Sequence, residues 1–214
     1  MKTNEAKTRA AEILKRLRKK YPDAKCELDF TTPLQLAVAA ILAAQCTDKR
    51  VNMVTPALFK KYTNAAAFAT ASQETLEQQI KSTGFFRNKA KSIRALAAAL
   101  IEKHGGEIPT DLDTLVRLPG IGRKTANLII ADAFRRPGLI IDTHQIRVNQ
   151  RLGLTKNSDA TKIETDLQKI VPEENWISWS HCVTIHGRYT CLARKPSCAA
   201  CPLTDLCPSV QLEN

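Results

Sequence analysis

Four cysteines near the end of the chain form the densest group of chemically reactive side chains in the sequence. Cys191, Cys198, Cys201 and Cys207 fall within 17 residues, in the pattern C-x6-C-x2-C-x5-C. Thiolates at this spacing can surround one metal centre when a short loop winds around it. Zinc and a 4Fe–4S cluster both accept four thiolates, so the spacing leaves the metal open. The tail therefore predicts a metal-stabilised loop.

Two basic residues lie between the first two of these cysteines. Arg194 and Lys195 belong to the segment LARKPS, which separates Cys191 from Cys198. A closed loop would hold both side chains in place, where they could contact phosphate groups. We therefore expect the metal to act as a scaffold for binding rather than as a catalyst.

Residues 111–134 predict two helices joined by a tight turn. The centre of this segment, residues 118–130, reads LPGIGRKTANLII. Gly120 ends the first helix, and Gly122 is expected to adopt backbone conformations closed to other residues. Glycines also let a phosphate approach the N–H groups at the start of the second helix. This helix-hairpin-helix pattern favours DNA binding, although glycine-rich turns between helices also occur for packing alone.

Lys124 stands at the start of the second helix, where the helix dipole is already positive. A further positive charge is disfavoured there, and we expect Arg123 and burial of the lysine side chain to act in the same direction. These surroundings favour the neutral amine, which is the nucleophilic form. The competing interpretation is a solvated surface lysine.

The chain is strongly basic, with 32 Lys and Arg against 21 Asp and Glu in 214 residues, a net charge of +11. The basic residues recur in short groups, which suits a folded surface that binds nucleic acid rather than a membrane. The longest apolar run covers only residues 36–44, about half of a membrane span. Seven cysteines without a signal-peptide pattern indicate a reducing compartment. We therefore expect a soluble, cytoplasmic protein without disulfides.

Helical periodicity dominates the sequence and predicts an all-α fold of roughly nine or ten helices. Thr32 and Pro33 are expected to begin a helix that is apolar on every side and therefore buried. Residues 138–143 look strand-like, but six residues without a partner do not make a sheet. The clearest helical patterns cover residues 5–20, 31–45, 72–82, 89–104, 158–170 and 174–187.

A weak internal repeat connects two segments of the chain at a spacing of 36 residues. It pairs Gly84 with Gly120, Arg87 with Arg123, and Ala90 with Ala126. Both segments open a helical pattern, so one type of turn could be used twice. Three identities in a short window can also arise by chance.

Five segments together resemble the endonuclease III family of DNA glycosylases with abasic-site lyase activity. They are the cysteine tail and the stretches LAAQCTDKRVN, LPGIGRKTAN, IDTHQIRV and HGRYTCLARKP. The resemblance covers nearly the whole chain and implies a 4Fe–4S cluster on the four cysteines, in place of zinc. It also implies two helical lobes with DNA across the cleft between them. These are a six-helix barrel at 26–136 and a cluster domain of residues 1–25 plus 137–214, with the cluster loop at 191–207.

The same resemblance assigns Lys124 as the catalytic nucleophile and Asp142 as the catalytic carboxylate. Cleavage of the bond between base and sugar develops positive charge on the sugar, which a nearby carboxylate stabilises. An amine that attacks the anomeric carbon gives a Schiff base, which permits β-elimination of the 3′ phosphate. Asp142 also has a structural interpretation, because it precedes a helix and Gln145 follows three residues later, as in a capping box. Both roles can hold at once.

A base inside duplex DNA must be flipped out before it is excised, and something must fill the gap. The resemblance places this task near Gln45 and Phe85, where an aromatic wedge departs from the leucine typical of the family. Ordinary core packing is the alternative role for Phe85. The expected DNA-binding residues are Gln45, Phe85, Gly120, Gly122, Arg123, Arg194 and Lys195.

The resemblance as a whole implies a base excision repair enzyme that acts on damaged double-stranded DNA, and we expect it to be a monomer in the nucleoid. It would remove oxidised pyrimidines and cut the 3′ side of the abasic site by β-elimination. One alternative is a mismatch-specific or adenine glycosylase of the same fold. The adenine branch generally lacks a lysine at the position of Lys124 and carries a further C-terminal domain, whereas this sequence ends seven residues after Cys207. The other alternative is a non-catalytic, cluster-containing DNA-binding module.

Overall fold

The computed structural model describes residues 3–210, and the regular elements of this range are all helical. The range contains eleven α-helices, several short 3₁₀ turns, one π-helical turn and no β-strand. The predicted all-α fold is confirmed. None of the strand-like residues 138–143 belongs to a sheet, and their apolar character reflects the burial of Leu139, Ile140 and Ile141. No helix within residues 3–210 combines the length and the apolarity that a membrane-spanning segment needs.

The helices divide into two compact units. The terminal unit joins the segment up to Lys25 with the segment from Pro137 onward, and the middle unit is the continuous segment Cys26–Arg136. The terminal unit contains α1 (Thr3–Lys20), and the middle unit contains α2 (Pro33–Leu42), α3 (Asp48–Lys61), α4 (Ala65–Thr70), α5 (Gln73–Ile80), α6 (Phe86–His104), α7 (Leu112–Leu115) and α8 (Arg123–Leu128). Helix α8 continues directly into the π-helical turn Ile129–Ala133.

Helix α2 is a buried helix of the middle unit, as its composition predicts. Thr32 is its N-cap, with a hydroxyl that accepts a hydrogen bond from the Gln35 N–H at 3.2 Å, and Pro33 takes the first helical position. The buried residues are Leu36, Ala37, Val38, Ala39, Ile41 and Leu42. The helix ends at Leu42 rather than near Gln45, because the chain turns there and Gln45 adopts a φ of +52°.

The remaining helices belong to the terminal unit. They are α9 (Thr143–Arg151), α10 (Ala160–Gln168) and α11 (Trp176–Tyr189), followed by 3₁₀ turns at Cys198–Ala200 and Thr204–Leu206. Ile13 and Leu17 of α1 pack in one apolar core with Trp179 and Val183 of α11. Full burial of such a side chain contributes about 1.5–3 kcal/mol, so this core fixes α1 to the later part of the chain.

Candidate functional site

The glycine-rich turn of the middle unit is anchored by the helix before it. Helix α7 begins at Asp111, whose carboxylate accepts hydrogen bonds from the Thr114 N–H at 2.8 Å and the Thr114 hydroxyl at 2.7 Å. These hydrogen bonds hold the pKa of Asp111 below its usual value. After α7, the Leu118 N–H donates to the Leu115 carbonyl and the Ile121 N–H donates to the Leu118 carbonyl. The predicted order of helix, turn and helix is therefore present.

Gly120 lies at the centre of this turn and cannot be replaced without strain. Its φ of +77° is a left-handed conformation that costs a residue with a side chain about 1–2 kcal/mol. A Cβ atom on Gly120 would also lie 3.1 Å from Ser92 Cβ and 3.2 Å from Ile41 Cδ1. Conformation and packing both require glycine here, and neither requirement involves DNA.

Gly122 has a different reason to be glycine. Its φ of −86° and ψ of 171° suit any residue, so the expectation of a conformation closed to other residues is wrong at this position. No protein atom outside its chain neighbours lies within 4 Å of a Cβ placed on Gly122. Because Gly122 is the N-cap of α8, this open space adjoins the first N–H groups of the helix, where an anion could approach.

Lys124 is the second residue of α8, and its side chain is exposed, as is that of Arg123. The expected burial of Lys124 is therefore wrong. Helix α8 instead buries Ala126, Asn127 and Leu128, which leaves the first two residues on the solvent side. An exposed amine at a helix start is directly accessible to a reactant.

Asp142 is the N-cap of α9 in the terminal unit and is partly buried. Its Oδ1 accepts a hydrogen bond from the Gln145 N–H at 2.8 Å, which confirms the predicted cap. The reciprocal half of the capping box is not formed. The Gln145 side chain is fully buried, donates to the Ser180 carbonyl at 2.8 Å and accepts from Asn149 Nδ2 at 2.8 Å. Asp142 is thus fixed by its own helix, and Gln145 is committed to the core.

His144, two residues after Asp142, is a structural neighbour of the carboxylate. Burial lowers the pKa of His144, although the negative charge of Asp142 acts in the opposite direction. Its Nδ1 lies 3.2 Å from Nη2 of Arg147. Because the guanidinium can only donate, Nδ1 of the imidazole must accept, so the ring is neutral in this arrangement.

The four cysteines of the tail line a single cavity in the terminal unit. Cys191 follows the end of α11, while Cys198, Cys201 and Cys207 lie at the ends of the two 3₁₀ turns. Within residues 3–210 no three His, Cys, Asp or Glu side chains converge closely enough to hold one metal ion. The thiols instead lie along the wall of the cavity. This donor set of four thiols fits an iron–sulfur cluster.

Two donors and one imidazole nitrogen approach the sulfur atoms of this cavity. Nη1 of Arg151 lies 3.3 Å from Cys191 Sγ, the Leu203 N–H donates to Cys201 Sγ at 3.4 Å, and Nε2 of His186 lies 3.6 Å from the same sulfur. Burial raises the pKa of the Cys201 thiol. Hydrogen-bond donors oppose that effect, since they stabilise the thiolate that a metal requires.

The loop that carries Arg194 and Lys195 is held by α9, through residues that sequence reasoning missed. Arg147 donates to the Cys191 carbonyl at 3.1 Å, and Arg151 donates to the carbonyls of Leu192 and Ala193 at 2.6 and 3.0 Å. The side chains of Arg194 and Lys195 are exposed, as predicted. Two arginines four residues apart on one helix were the signal that could have revealed this contact.

Gln45 and Phe85 both stand on turns of the middle unit, and both have left-handed backbone conformations. Their φ angles are +52° and +48°. Gln45 is exposed, and Phe85 is 62% exposed, so the alternative of core packing for Phe85 is wrong. Left-handed conformations cost residues other than glycine about 1–2 kcal/mol. Such strain is typical of segments that bind ligands.

Known proteins resemble this chain in sequence over nearly its full length. A family model described as HhH-GPD superfamily base excision DNA repair protein matches residues 38–173. The iron–sulfur binding domain of endonuclease III matches residues 191–207. Endonuclease III of Synechocystis sp. (strain ATCC 27184 / PCC 6803 / Kazusa) is 52% identical over 206 residues, which cover 96% of this chain and 94% of that protein.

The chain belongs to the endonuclease III family. Two solved structures agree, one of a non-covalent endonuclease III–DNA complex and one of a trapped endonuclease III–DNA covalent intermediate. Each is 44% identical to this chain, with a TM-score of 0.91 over 95% of it and over 95% and 96% of the respective solved chains. As a member of this family the protein is a base excision DNA repair enzyme, a DNA glycosylase and abasic-site lyase, with a 4Fe–4S cluster as cofactor. The predicted family, activity and cofactor are confirmed, and the enzyme is favoured over the alternative of a non-catalytic module.

Proposed function

We propose that the protein removes oxidised pyrimidines from duplex DNA and then cuts the 3′ side of the abasic site, with Lys124 as the nucleophile. The observation that carries this proposal is the exposed Lys124 amine on the first turn of α8, beside the open N-cap at Gly122. A helix N-terminus binds an anion with its free N–H groups. The same element can therefore hold the phosphate of the damaged nucleotide and supply the attacking amine.

The chemistry of Lys124 proceeds through a covalent bond to deoxyribose. The amine nitrogen attacks C1′ as the bond from C1′ to the base breaks, and the base leaves with a proton. The nitrogen supplies the proton that leaves with the base. The C1′–O4′ bond then breaks, O4′ takes up a proton from water, and the nitrogen lone pair forms an iminium at C1′. The iminium acidifies C2′, and loss of the C2′ proton expels the 3′ phosphate. Water could release the base but could not provide this electron sink.

Asp142 is the proposed carboxylate that stabilises positive charge on the sugar as the base leaves. Its cap hydrogen bond from the Gln145 N–H fixes one oxygen and gives the carboxyl group a defined orientation. The neutral His144 beside it is assigned no proton transfer. Lys124 and Asp142 come from different units, and their assignment rests on the family motif and on the local geometry of each.

Cys191, Cys198, Cys201 and Cys207 are the proposed ligands of the cluster. The cluster, when bound, supplies a rigid covalent anchor for the loop around it. The proposed role of Arg194 and Lys195 is to contact phosphates from this loop, with no preference for sequence. Their exposure and the hydrogen bonds from α9 to the loop backbone support this role.

Gln45 and Phe85 are proposed to fill the gap that the flipped base leaves. Both are exposed on strained turns, and an apolar wedge such as Phe85 can separate neighbouring base pairs. Gly120, Gly122 and Arg123 complete the proposed DNA surface of the middle unit. Gly120 is needed for the fold of the turn, so its contribution to binding is indirect.

We further propose that the middle unit Cys26–Arg136 corresponds to the six-helix barrel and that the terminal unit corresponds to the cluster domain. The division of contacts along the chain supports this assignment. The protein is proposed to act as a monomer on the nucleoid, where its substrate lies. Light scattering during size-exclusion chromatography, with and without a lesion-containing duplex, tests the monomer.

A panel of duplexes, each with one oxidised pyrimidine, one mismatched thymine or one adenine opposite an oxidised guanine, tests the proposed function. Wild-type protein should release oxidised pyrimidines and cut the strand. Asp142→Asn should slow base release while the fold is kept, because asparagine caps a helix as well as aspartate does. Lys124→Ala should abolish strand cleavage yet keep duplex affinity. Preferred release of the mismatched base, or equal loss of binding and cleavage in Lys124→Ala, would contradict the proposal.

A further inference from the structure

Lys89 is a buried lysine in the first turn of α6 that the chemistry above does not use. Its side chain is 5% exposed. The ammonium nitrogen donates to the carbonyl of Leu42 at 2.7 Å and to the carbonyl of Thr83 at 2.8 Å. Burial lowers the pKa of Lys89. Two short hydrogen bonds offset the free-energy cost of removing this charged group from water. Lys89 therefore links two segments of the fold and is not a surface charge.

The two acceptors belong to separate segments of the chain. Leu42 is the last residue of α2, and carbonyls at a helix C-terminus lack partners within the helix, so a cation is favoured there. Thr83 is buried and immediately precedes Gly84, whose φ of +70° begins the turn into α6. One ammonium therefore joins the end of α2 to the turn before α6.

Each acceptor lies just before a residue with a left-handed backbone conformation and an exposed side chain. Gln45 follows Leu42 by three residues, and Phe85 follows Thr83 by two. These are the two residues proposed to fill the gap in the DNA. Lys89 thus connects the starts of the two turns on which Gln45 and Phe85 stand.

We propose that Lys89 is a positioning residue that fixes the separation of the Gln45 turn and the Phe85 turn, so that both side chains enter the same gap. This inference rests on the proposed function of Gln45 and Phe85. Three hydrogens on one compact ammonium can serve two carbonyls from different directions, which a methionine side chain, with no N–H group, cannot do. Lys89 itself does not contact DNA in this account.

A duplex that carries 2-aminopurine opposite the lesion reports the gap directly, since its fluorescence rises when the base loses its partner. Lys89→Met removes the donors at similar volume, and Lys91→Met is the matched control, because Lys91 is exposed on the same helix. We expect Lys89→Met to lower the fluorescence rise and to slow single-turnover base release at least about tenfold, because small misplacements can cost as much as ~100-fold. Lys91→Met should leave both unchanged. Equal values for Lys89→Met and wild type would overturn the inference.

A double-mutant cycle with Phe85→Ala separates positioning from general stability. If Lys89 acts through the Phe85 turn, base release by the double variant should lie within about twofold of the rate of Phe85→Ala. The reason is that the free-energy effects of coupled residues do not add. If the fold-losses in rate of the two single variants multiply in the double variant, the inference is overturned. Should Lys89→Met not fold, Lys89→Gln, which keeps an amide donor, takes its place in the same cycle. If Phe85→Ala alone leaves fluorescence and rate unchanged, the proposed wedge fails first, and that result differs from a failure of Lys89 alone.

Discussion

Two turns of the middle unit, 36 residues apart, begin alike and present different chemistry. Gly84 and Gly120 have φ angles of +70° and +77°. Ala90 and Ala126, six residues after each glycine, are both fully buried. The sequence repeat is therefore matched by backbone conformation and by burial at these positions.

The turns diverge at the residue after each glycine. Ile121 has no left-handed conformation and is 4% exposed, whereas Phe85 has a φ of +48° and is 62% exposed. At the fourth position after the glycine, the hairpin exposes Lys124 and the other turn exposes Asn88. One turn packs its apolar side chain and presents an amine, while the other presents an aromatic ring. A difference in the backbone conformation of one residue thus accompanies a difference in the groups that the two turns expose.

The largest expected effect comes from the pair Lys124 and Asn88. Lys124→Ala should reduce strand cleavage at least about 1,000-fold, because loss of a nucleophile removes the covalent route entirely. Asn88→Ala, at the matching position of the other turn, should leave cleavage within about twofold of wild type, as for most exposed positions. Gel assays on a preformed abasic site measure both. Comparable losses in the two variants would refute the contrast between the turns.

Ile121 and Phe85, the residues that follow the two glycines, should affect different properties. Ile121 should matter for stability, and Phe85 for the rate of base release. Ile121→Ala should lower the free energy of unfolding by about 2–5 kcal/mol, because it leaves a cavity in the core. Phe85→Ala should change it by no more than about 0.5 kcal/mol, since the ring is exposed, yet it should slow base release. Chemical denaturation gives the stabilities, and single-turnover kinetics gives the rates. A strongly destabilised Phe85→Ala would place the ring in the core after all.

The two glycines of the hairpin should separate folding from binding. Gly120→Ala should cost about 2 kcal/mol of stability, because it combines a left-handed φ with a tight Cβ contact. Gly122→Ala should leave stability within about 0.5 kcal/mol, because its φ is ordinary. It should nevertheless weaken DNA binding, since the methyl group occupies the space proposed for a phosphate. Unchanged affinity of Gly122→Ala would remove the phosphate from that position.

The smallest expected effect concerns the cluster loop, which tests whether binding extends beyond the two turns. Lys195→Ala should weaken binding to all duplexes alike and reduce the slope of log K against log salt by about one unit. Lys60→Ala, which removes an exposed charge from α3, is the control and should leave the slope unchanged. Equal slopes for Lys195→Ala and wild type would take this side chain out of the interface.

Local signals in the sequence predicted several helix starts and the buried helix correctly. Thr32, Ser72, Asp111 and Asp142 all cap helices through their side chains, because such caps depend only on residues three positions away. Helix α6 ends at His104 as predicted, but it starts at Phe86 rather than Lys89, since the turn at Gly84 has no strong periodic signal. Helices α3 and α4, of 14 and 6 residues, had no assigned range in the sequence analysis.

Contacts between distant segments could not be predicted from sequence. Lys89 reads as an ordinary helical lysine until Leu42 and Thr83 are seen beside it. Gln145 matches a capping box, yet its amide is committed to Ser180 and Asn149, which only the packed core reveals. Exposure of Lys124 depends on which face α8 buries. The sequence identifies which types of side chain form the site. Their burial and hydrogen-bond partners become known only from the folded structure.

The covalent bond between Lys124 and deoxyribose is the central claim, and borohydride reduction tests it most directly. Wild-type protein is incubated with a duplex that holds one oxidised pyrimidine, the Schiff base is reduced, and the adduct is digested and sequenced by mass spectrometry. We predict that the sugar-derived mass lies on Lys124 and that Lys124→Ala yields no adduct. An adduct on another amine, or efficient strand cleavage without any trapped adduct, would contradict the account.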